Sequence, residues 1–266
     1  MRYRPVISLA VVFIMAAITA VPLDAAPTFA APGFGQQWKV GEAFAPNFWG
    51  PLATARDGQP EEYKEGASGK RLVQYFDKAR MELTDPTTGA VTNGLLAREL
   101  ITGRMQTGNT TFEARTPAAI PVAGDLDNIG PTYATINGSS LMAETASTET
   151  MQASQSLNAT GTVGLYTGPY LNDPYAVISH PEAATHHNVP KAFCDFRARV
   201  GLASIGYAIS EPFWTTVKVG GQQKDVLVQA YERRVLTYTP TNPDAYKIEF
   251  GNIGQHYYTW RYTTGA

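Results

Sequence analysis

A strand-patterned segment occurs twice in this chain. Leu72-Val73-Gln74-Tyr75-Phe76-Asp77-Lys78 aligns without a gap with Leu227-Val228-Gln229-Ala230-Tyr231-Glu232-Arg233. The match runs on through Met81 and Leu236, and Leu83 and Tyr238, to Thr84 and Thr239. After a Pro-containing turn, Gly94-Leu95-Leu96 and Arg104 pair with Gly251-Asn252-Ile253 and Arg261. Upstream, Pro46-Asn47-Phe48-Trp49 loosely echoes Glu211-Pro212-Phe213-Trp214. Such recurrence points to one supersecondary unit used twice, each copy burying an apolar face against the other. Read as one long strand per copy, Val73, Tyr75, Ala79, Met81 and Leu83 share a face, as do Val228, Ala230, Leu236 and Tyr238. Asp77 and Glu232 interrupt these faces at the same place. A bend or bulge there, letting the acid reach solvent or an arginine such as Arg80 or Arg233, is a better reading than catalysis.

Elsewhere too, strand signals dominate: runs of Val, Ile, Thr, Tyr and Phe at 213–219, 225–239 and 246–250 are broken by Gly, Pro, Asn and Asp. Gly220-Gly221 is placed to turn a hairpin, and Thr239 to Asp244 reads as a second turn. Two short helices are expected, over 92–104 and 190–201. Residues 138–162, rich in Ser, Thr, Ala and Gln, read as a loop or linker because they carry little apolar surface to bury. The expected fold is mainly β: two related antiparallel β units, 35–137 and 163–264, packed together with a few short helices.

Residues 1–30 read as an export signal. Arg2 and Arg4 precede an apolar run over 6–21 of about 16 residues, short of the roughly 20 that span a bilayer. Small residues suit cleavage after Ala26 or Ala30, and an uncleaved anchor is the alternative. The mature protein is expected outside the membrane, secreted or at the cell surface, with no second span. Lys and Arg total 21 against 23 Asp and Glu, a net charge of −2, which lacks the basic footprint of a nucleic-acid binder. The single cysteine, Cys194, rules out an intrachain disulfide framework and a multi-cysteine metal site.

No Gly-x-Ser-x-Gly elbow, P-loop or dinucleotide fingerprint is present, so no catalytic residue and no cofactor is assigned. His180, His186 and His187, with Glu182 and Asp195, are weak zinc candidates, and solvated loop histidines are the plainer reading. Cys194 beside His187 or His256 could act as a nucleophile, but its apolar surroundings favour an inert packed thiol. Asp125 and Asp127 suggest an Asp-rich turn rather than a calcium loop. Aromatics are the richest feature, at 11%. Trp49 and Trp214, with Tyr258, Trp260 and Tyr262 aligned on one face of a C-terminal strand, are the candidate ligand-binding residues. Exposed, such rings stack on sugars; buried, they are core, the commoner fate.

Leu-Val-Gln-Tyr-Phe-Asp-Lys-Ala-Arg-Met-Glu (72–82), Val-Thr-Asn-Gly-Leu-Leu (91–96), Glu-Leu-Ile-Thr-Gly-Arg-Met (99–105) and Ile-Pro-Val-Ala-Gly-Asp (120–125) resemble a family of exported bacterial proteins typical of Chloroflexota. So do the segments 226–240 and 251–262, and the resemblance spans nearly the whole mature chain. That family has no assigned activity, so it carries over no catalytic residue. Each copy is also similar to a shorter "VQYFERARFE" segment of envelope-associated proteins, which often follows Gly-Tyr-Pro-Ile-(Ser/Thr)-Glu. Here that stretch is Gly206-Tyr207-Ala208-Ile209-Ser210-Glu211, with a weak likeness in pattern to LGFP-type cell-wall repeats. The export signal, the repeat, the aromatics and the missing catalytic motifs point to an exported, non-catalytic module whose partner is cell-wall polysaccharide or another envelope component, and the wall-repeat likeness lends this weak support. The alternatives are an extracellular hydrolase using a carboxylate pair or a histidine-based metal site, and a self-assembling surface protein.

Overall fold

The computed structural model describes residues 28–263, so the export signal expected over 1–30 lies almost wholly outside them. The described chain opens with α1 (Pro32–Phe44), whose N-terminal proline sits where a missing N–H costs nothing. A four-stranded antiparallel meander follows: β1 (Gln59–Ala67), β2 (Lys70–Phe76), β3 (Ala79–Asp85) and β4 (Ala90–Asn93). Ser68 and Gly69, both at positive φ, turn β1 into β2 with the twist a two-residue hairpin needs. The Asp85 carboxylate accepts the Thr87 N–H and the Thr88 hydroxyl to close the turn into β4. α2 (Leu96–Thr102) ends on Gly103 in the left-handed region.

Next come the ribbon β5 (Arg104–Gln106) and β6 (Phe112–Ala114), then α3 (Tyr133–Asn137), held by a Thr132–Thr135 capping box. β7 (Gln155–Leu157), β8 (Val163–Leu165), β9 (Ile178–Glu182) and β10 (His187–Pro190) lead to α4 (Lys191–Val200) and α5 (Leu202–Ile205). The chain closes with β11 (Phe213–Val219), β12 (Gln222–Ala230), β13 (Val235–Tyr238), β14 (Ile248–Phe250) and α6 (Ile253–Tyr262). The second sheet runs β14-β13-β12-β11-β7-β8, antiparallel except where β7 meets β11. The fold is β-rich, with a few short helices.

Several expectations change. Each long strand of the recurring segment is a hairpin, turning at Asp77-Lys78 and again between Tyr231 and Arg234. The turn reverses the facing pattern. Val73 and Tyr75 enter one core while Ala79 and Met81 enter the other; Val228 and Ala230 part from Leu236 and Tyr238 in the same way. Residues 138–162 are no free linker, because β7 is built into the second sheet and Leu141 and Leu157 are buried. The C-terminal aromatics lie on α6, not on a strand. Of the helix expected over 92–104 only α2 forms, since Thr92 and Asn93 complete β4. The Gly220-Gly221 hairpin and the helix near 190–201 lie where the sequence places them.

Both hydrophobic cores draw on both halves of the chain. One joins Phe48, Trp49, Phe76 and Met81 to Trp214, Tyr231, Leu236 and Phe250; the other joins Val73, Leu96 and Leu100 to Val228, Ile253 and Tyr257. The two meanders share several equivalent backbone bonds. Lys78 N–H donates to Trp49 O as Arg233 N–H does to Ile205 O, and Arg56 N–H to Tyr75 O as Ile209 N–H does to Ala230 O. By these bonds Trp49-Gly50-Pro51 occupies the place of Ile205-Gly206-Tyr207, so Trp49 and Trp214 are not counterparts. Gly50 and Gly206 both have positive φ, and a Cβ on either would strike the side chain of Asp77 or Glu232. The recurring glutamine is a buried clamp: Gln74 donates to Thr28 O and Arg56 O, and Gln229 to Asn188 O and Ser210 O.

Candidate functional site

Each hairpin turn caps the helix that follows the other meander. Asp77 O accepts from Gly254 N and Gln255 N (2.9 and 3.1 Å), at the first turn of α6. Glu232 O accepts from Arg98 N (3.1 Å), at the first turn of α2. These bonds satisfy donors that a helix start leaves without partners. The molecule therefore has two equivalent junctions, and their side chains differ.

At the Glu232 junction the acid has both a backbone donor and a cationic partner. The Glu232 carboxylate accepts from Tyr207 N–H (3.2 Å) and pairs with Arg98 (3.4 Å). The Arg233 guanidinium donates to Asn93 O at the end of β4. At the Asp77 junction the counterpart of Arg98 is Gln255, that of Tyr207 is Pro51, which has no N–H, and that of Arg233 is Lys78. Asp77 is 8% exposed, yet among the described residues its carboxylate accepts no hydrogen bond and forms no ion pair. Lys78 is half-buried, and burial pushes its ammonium below the usual lysine range.

Three clefts gather round this junction. Two of about 190 Å³ each flank the edge strand β14 and share Lys78, Glu249 and Phe250. The first adds Asp125, Thr237, Thr239, Asn252 and His256. Burial holds the His256 imidazolium down to about 4, so the ring is neutral, with Nδ1 2.9 Å from the Tyr133 hydroxyl. The second adds Asn47, Arg199 and Asp244, with Phe44 and Tyr246 as half-exposed aromatic walls (46% and 49%). A third cleft, of about 340 Å³, lies on the other side of the turn, between Thr54, Arg56, Asp77, Gln255 and Thr259.

Arg234 braces the same region. Its guanidinium is fully buried, donates to Lys78 O and Ser204 O, and lies 4.6–5.1 Å from the Phe48, Trp49 and Phe250 ring centroids. It forms no ion pair among the described residues, and burial lowers its pKa to about 9.

The structure places the sequence candidates as follows. Trp49 and Trp214 are fully buried and donate to Trp38 O and Ala153 O, so they pack in the core. Trp260 is 4% exposed and donates to Thr116 O, a core position as well. Tyr258 and Tyr262 stand one helical turn apart on α6, where Arg56 stacks on Tyr258 and Tyr262 donates to Glu61. Helical spacing splits the expected row, because residues two apart on a helix point in different directions.

His180 and His186 are exposed on the β9–β10 ribbon, whereas His187 is buried and turns to Glu211 (3.2 Å). Glu182 pairs with Arg197 instead, so the three histidines do not converge; no group of three metal-ligating residues occurs among the described residues. Glu211 accepts four hydrogen bonds, from Thr145, His187, Asn188 N and Asn188 Nδ2. These bonds hold it below the usual glutamate range despite burial. Cys194 is partly buried, which raises its pKa and keeps it a thiol. Asp125 accepts the Gly220 and Gly221 N–H groups and Asp127 pairs with Lys218, so both acids strap the hairpin.

No family model matches the chain, and no curated protein or solved structure matches it at a level that carries an argument.

Proposed function

We propose that the protein is an exported, non-catalytic module of the cell envelope that binds glycan through the clefts flanking β14. The observation that carries this reading is the second cleft. Exposed Phe44 and Tyr246 line it together with Asn47, Arg199, Asp244, Lys78 and Glu249. Aromatic surfaces suit the apolar faces of sugar rings, and side chains of both signs suit hydroxyls, which donate and accept. The resemblance to exported, envelope-associated proteins supports the location. The shared backbone bonds of the meanders support two copies of one unit. If the leader is removed, cleavage after Ala26 fits better than after Ala30, because Thr28 O and Ala30 N both bond the buried Gln74 amide.

A hydrolase would draw on a carboxylate–histidine pair, and the buried pair is His187–Glu211. Its carboxylate is already saturated by structural donors, which favours binding over catalysis.

Retention on purified cell-wall polysaccharide tests the reading. The protein is expected to be held, and the Phe44→Ala/Tyr246→Ala double variant to bind at least about tenfold more weakly. A folded protein that no wall fraction or soluble glycan retains would contradict it.

A further inference from the structure

We infer that the cleft between Asp77 and Arg56 is a binding site for a small zwitterion carrying an ammonium and a carboxylate, such as a free α-amino acid. The site lies on the opposite side of the Asp77-Lys78 turn from the proposed glycan clefts and does not rest on that reading.

The argument begins with what the other junction does with its acid. Glu232 has a backbone donor, Tyr207 N–H, and a cationic one, Arg98. At Asp77 both are missing. Pro51 stands at the place of Tyr207 and has no N–H to give; Gln255 stands at the place of Arg98 and carries no charge. The position still holds an acid, 8% exposed and pinned by Gly50, whose absent Cβ leaves room for Asp77 Cβ. The residue is mostly buried but its carboxylate still reaches solvent through the cleft, so an acid retained where both internal donors are gone is open to a donor brought from outside.

The cleft that Asp77 lines also holds a cation without an acid. Arg56 stacks on Tyr258 at 3.6 Å, yet its guanidinium makes no hydrogen bond or ion pair among the described residues. Arg56 and Asp77 line one cavity of about 340 Å³ and do not pair with each other. The stacking fixes the guanidinium plane while leaving its N–H donors for a carboxylate. Hydroxyls and an amide from Thr54, Thr259 and Gln255 complete the polar wall. An ammonium at Asp77 and a carboxylate at Arg56 would answer both charges at once. A neutral polyol would leave both without a counter-charge.

Titration calorimetry on the full mature protein tests the inference, with L-alanine, L-alaninamide, N-acetyl-L-alanine and glucose as probes. L-alanine is expected to bind. Removing its carboxylate or its ammonium should each weaken binding at least about tenfold, and glucose should not bind. Asp77→Asn should abolish L-alanine binding, while Glu232→Gln should leave it within about twofold. Gln255→Arg keeps Asp77 in place but supplies the internal cation of the other junction; it should raise the melting temperature and weaken L-alanine binding at least about tenfold. No binding of L-alanine up to about 20 mM would overturn the inference. So would equal binding of N-acetyl-L-alanine, or unchanged affinity in a folded Gln255→Arg variant.

Discussion

The Asp77 and Glu232 junctions share their main backbone bonds and are finished with different side chains. Around Glu232, an arginine, a backbone N–H and a second arginine close the crossing of turn, strand end and helix. Around Asp77, a glutamine, a proline and a shorter lysine stand in the same places, and three clefts lie beside the turn. The backbone caps thus hold the two meanders together, while the side chains decide whether a crossing is sealed or left accessible. Lysine offers one compact charge where arginine offers a planar fork, so Lys78 does not reproduce the bond from Arg233 to Asn93 O. A chain with two nearly equivalent places can keep one for stability and free the other for binding.

The sharpest way to break the comparison is Arg234. Its counterpart is Ala79, so the first copy has no such brace; the guanidinium ties Lys78 O and the Phe48, Trp49 and Phe250 rings on the Asp77 side to Ser204 O on the other. Arg234→Ala should cost about 3 kcal/mol or more by urea unfolding, from the cavity and the carbonyls left without donors. A loss under about 1 kcal/mol would mean that the junction stands without it. The next effect sharpens the likeness. Gln229→Ala should cost about 2 kcal/mol, because it frees two buried carbonyls, and Gln74→Ala about 1 kcal/mol, because Thr28 and Arg56 are exposed and water can reach their carbonyls. No loss at either glutamine would break the correspondence between the meanders.

Smaller still, Lys78→Arg should let a guanidinium reach toward the end of β14 as Arg233 reaches Asn93 O. It should raise stability by about 0.5–1 kcal/mol and weaken glycan retention. Unchanged retention would show that the flanking clefts do not depend on Lys78.

A further effect shows as a pH slope. Glu99 on α2 is buried beside Arg80 (3.7 Å), accepts from Tyr257 and Gln106 N, and is pushed up to about 7, chiefly by desolvation. Between its unfolded value near 4.5 and about 7 the folded state holds more protons, so this group's contribution to stability falls as pH rises through that window. Glu99→Gln should flatten the decline in melting temperature between about pH 5 and pH 8 relative to the parent. An unchanged slope would place the titration elsewhere.

Much of the architecture is legible in the residues. Gly220-Gly221 announces its hairpin because two positive φ values at a two-residue turn favour glycine. The recurring Leu-Val-Gln marks equivalent strands. The Asp77-Lys78 turn is hidden because neither residue adopts the left-handed conformation, so nothing local interrupts a strand-like run. In α6 the helical signal is present: Ile253, Tyr257 and Trp260 are all buried, at spacings of four and three. Alternating aromatics in the same stretch mimic a strand. The candidate site is least legible of all. Phe44 and Tyr246 meet in one cleft from opposite ends of the chain, and the meaning of Pro51 emerges only once backbone bonds align it with Tyr207.

Hydrogen exchange of the full protein, with and without soluble cell-wall glycan, tests most directly whether binding belongs to the open junction. The account predicts added protection over 76–79 and 244–250 and none over 91–98 or 230–234. Protection at the Glu232 junction, equal protection at both, or none at either would contradict it.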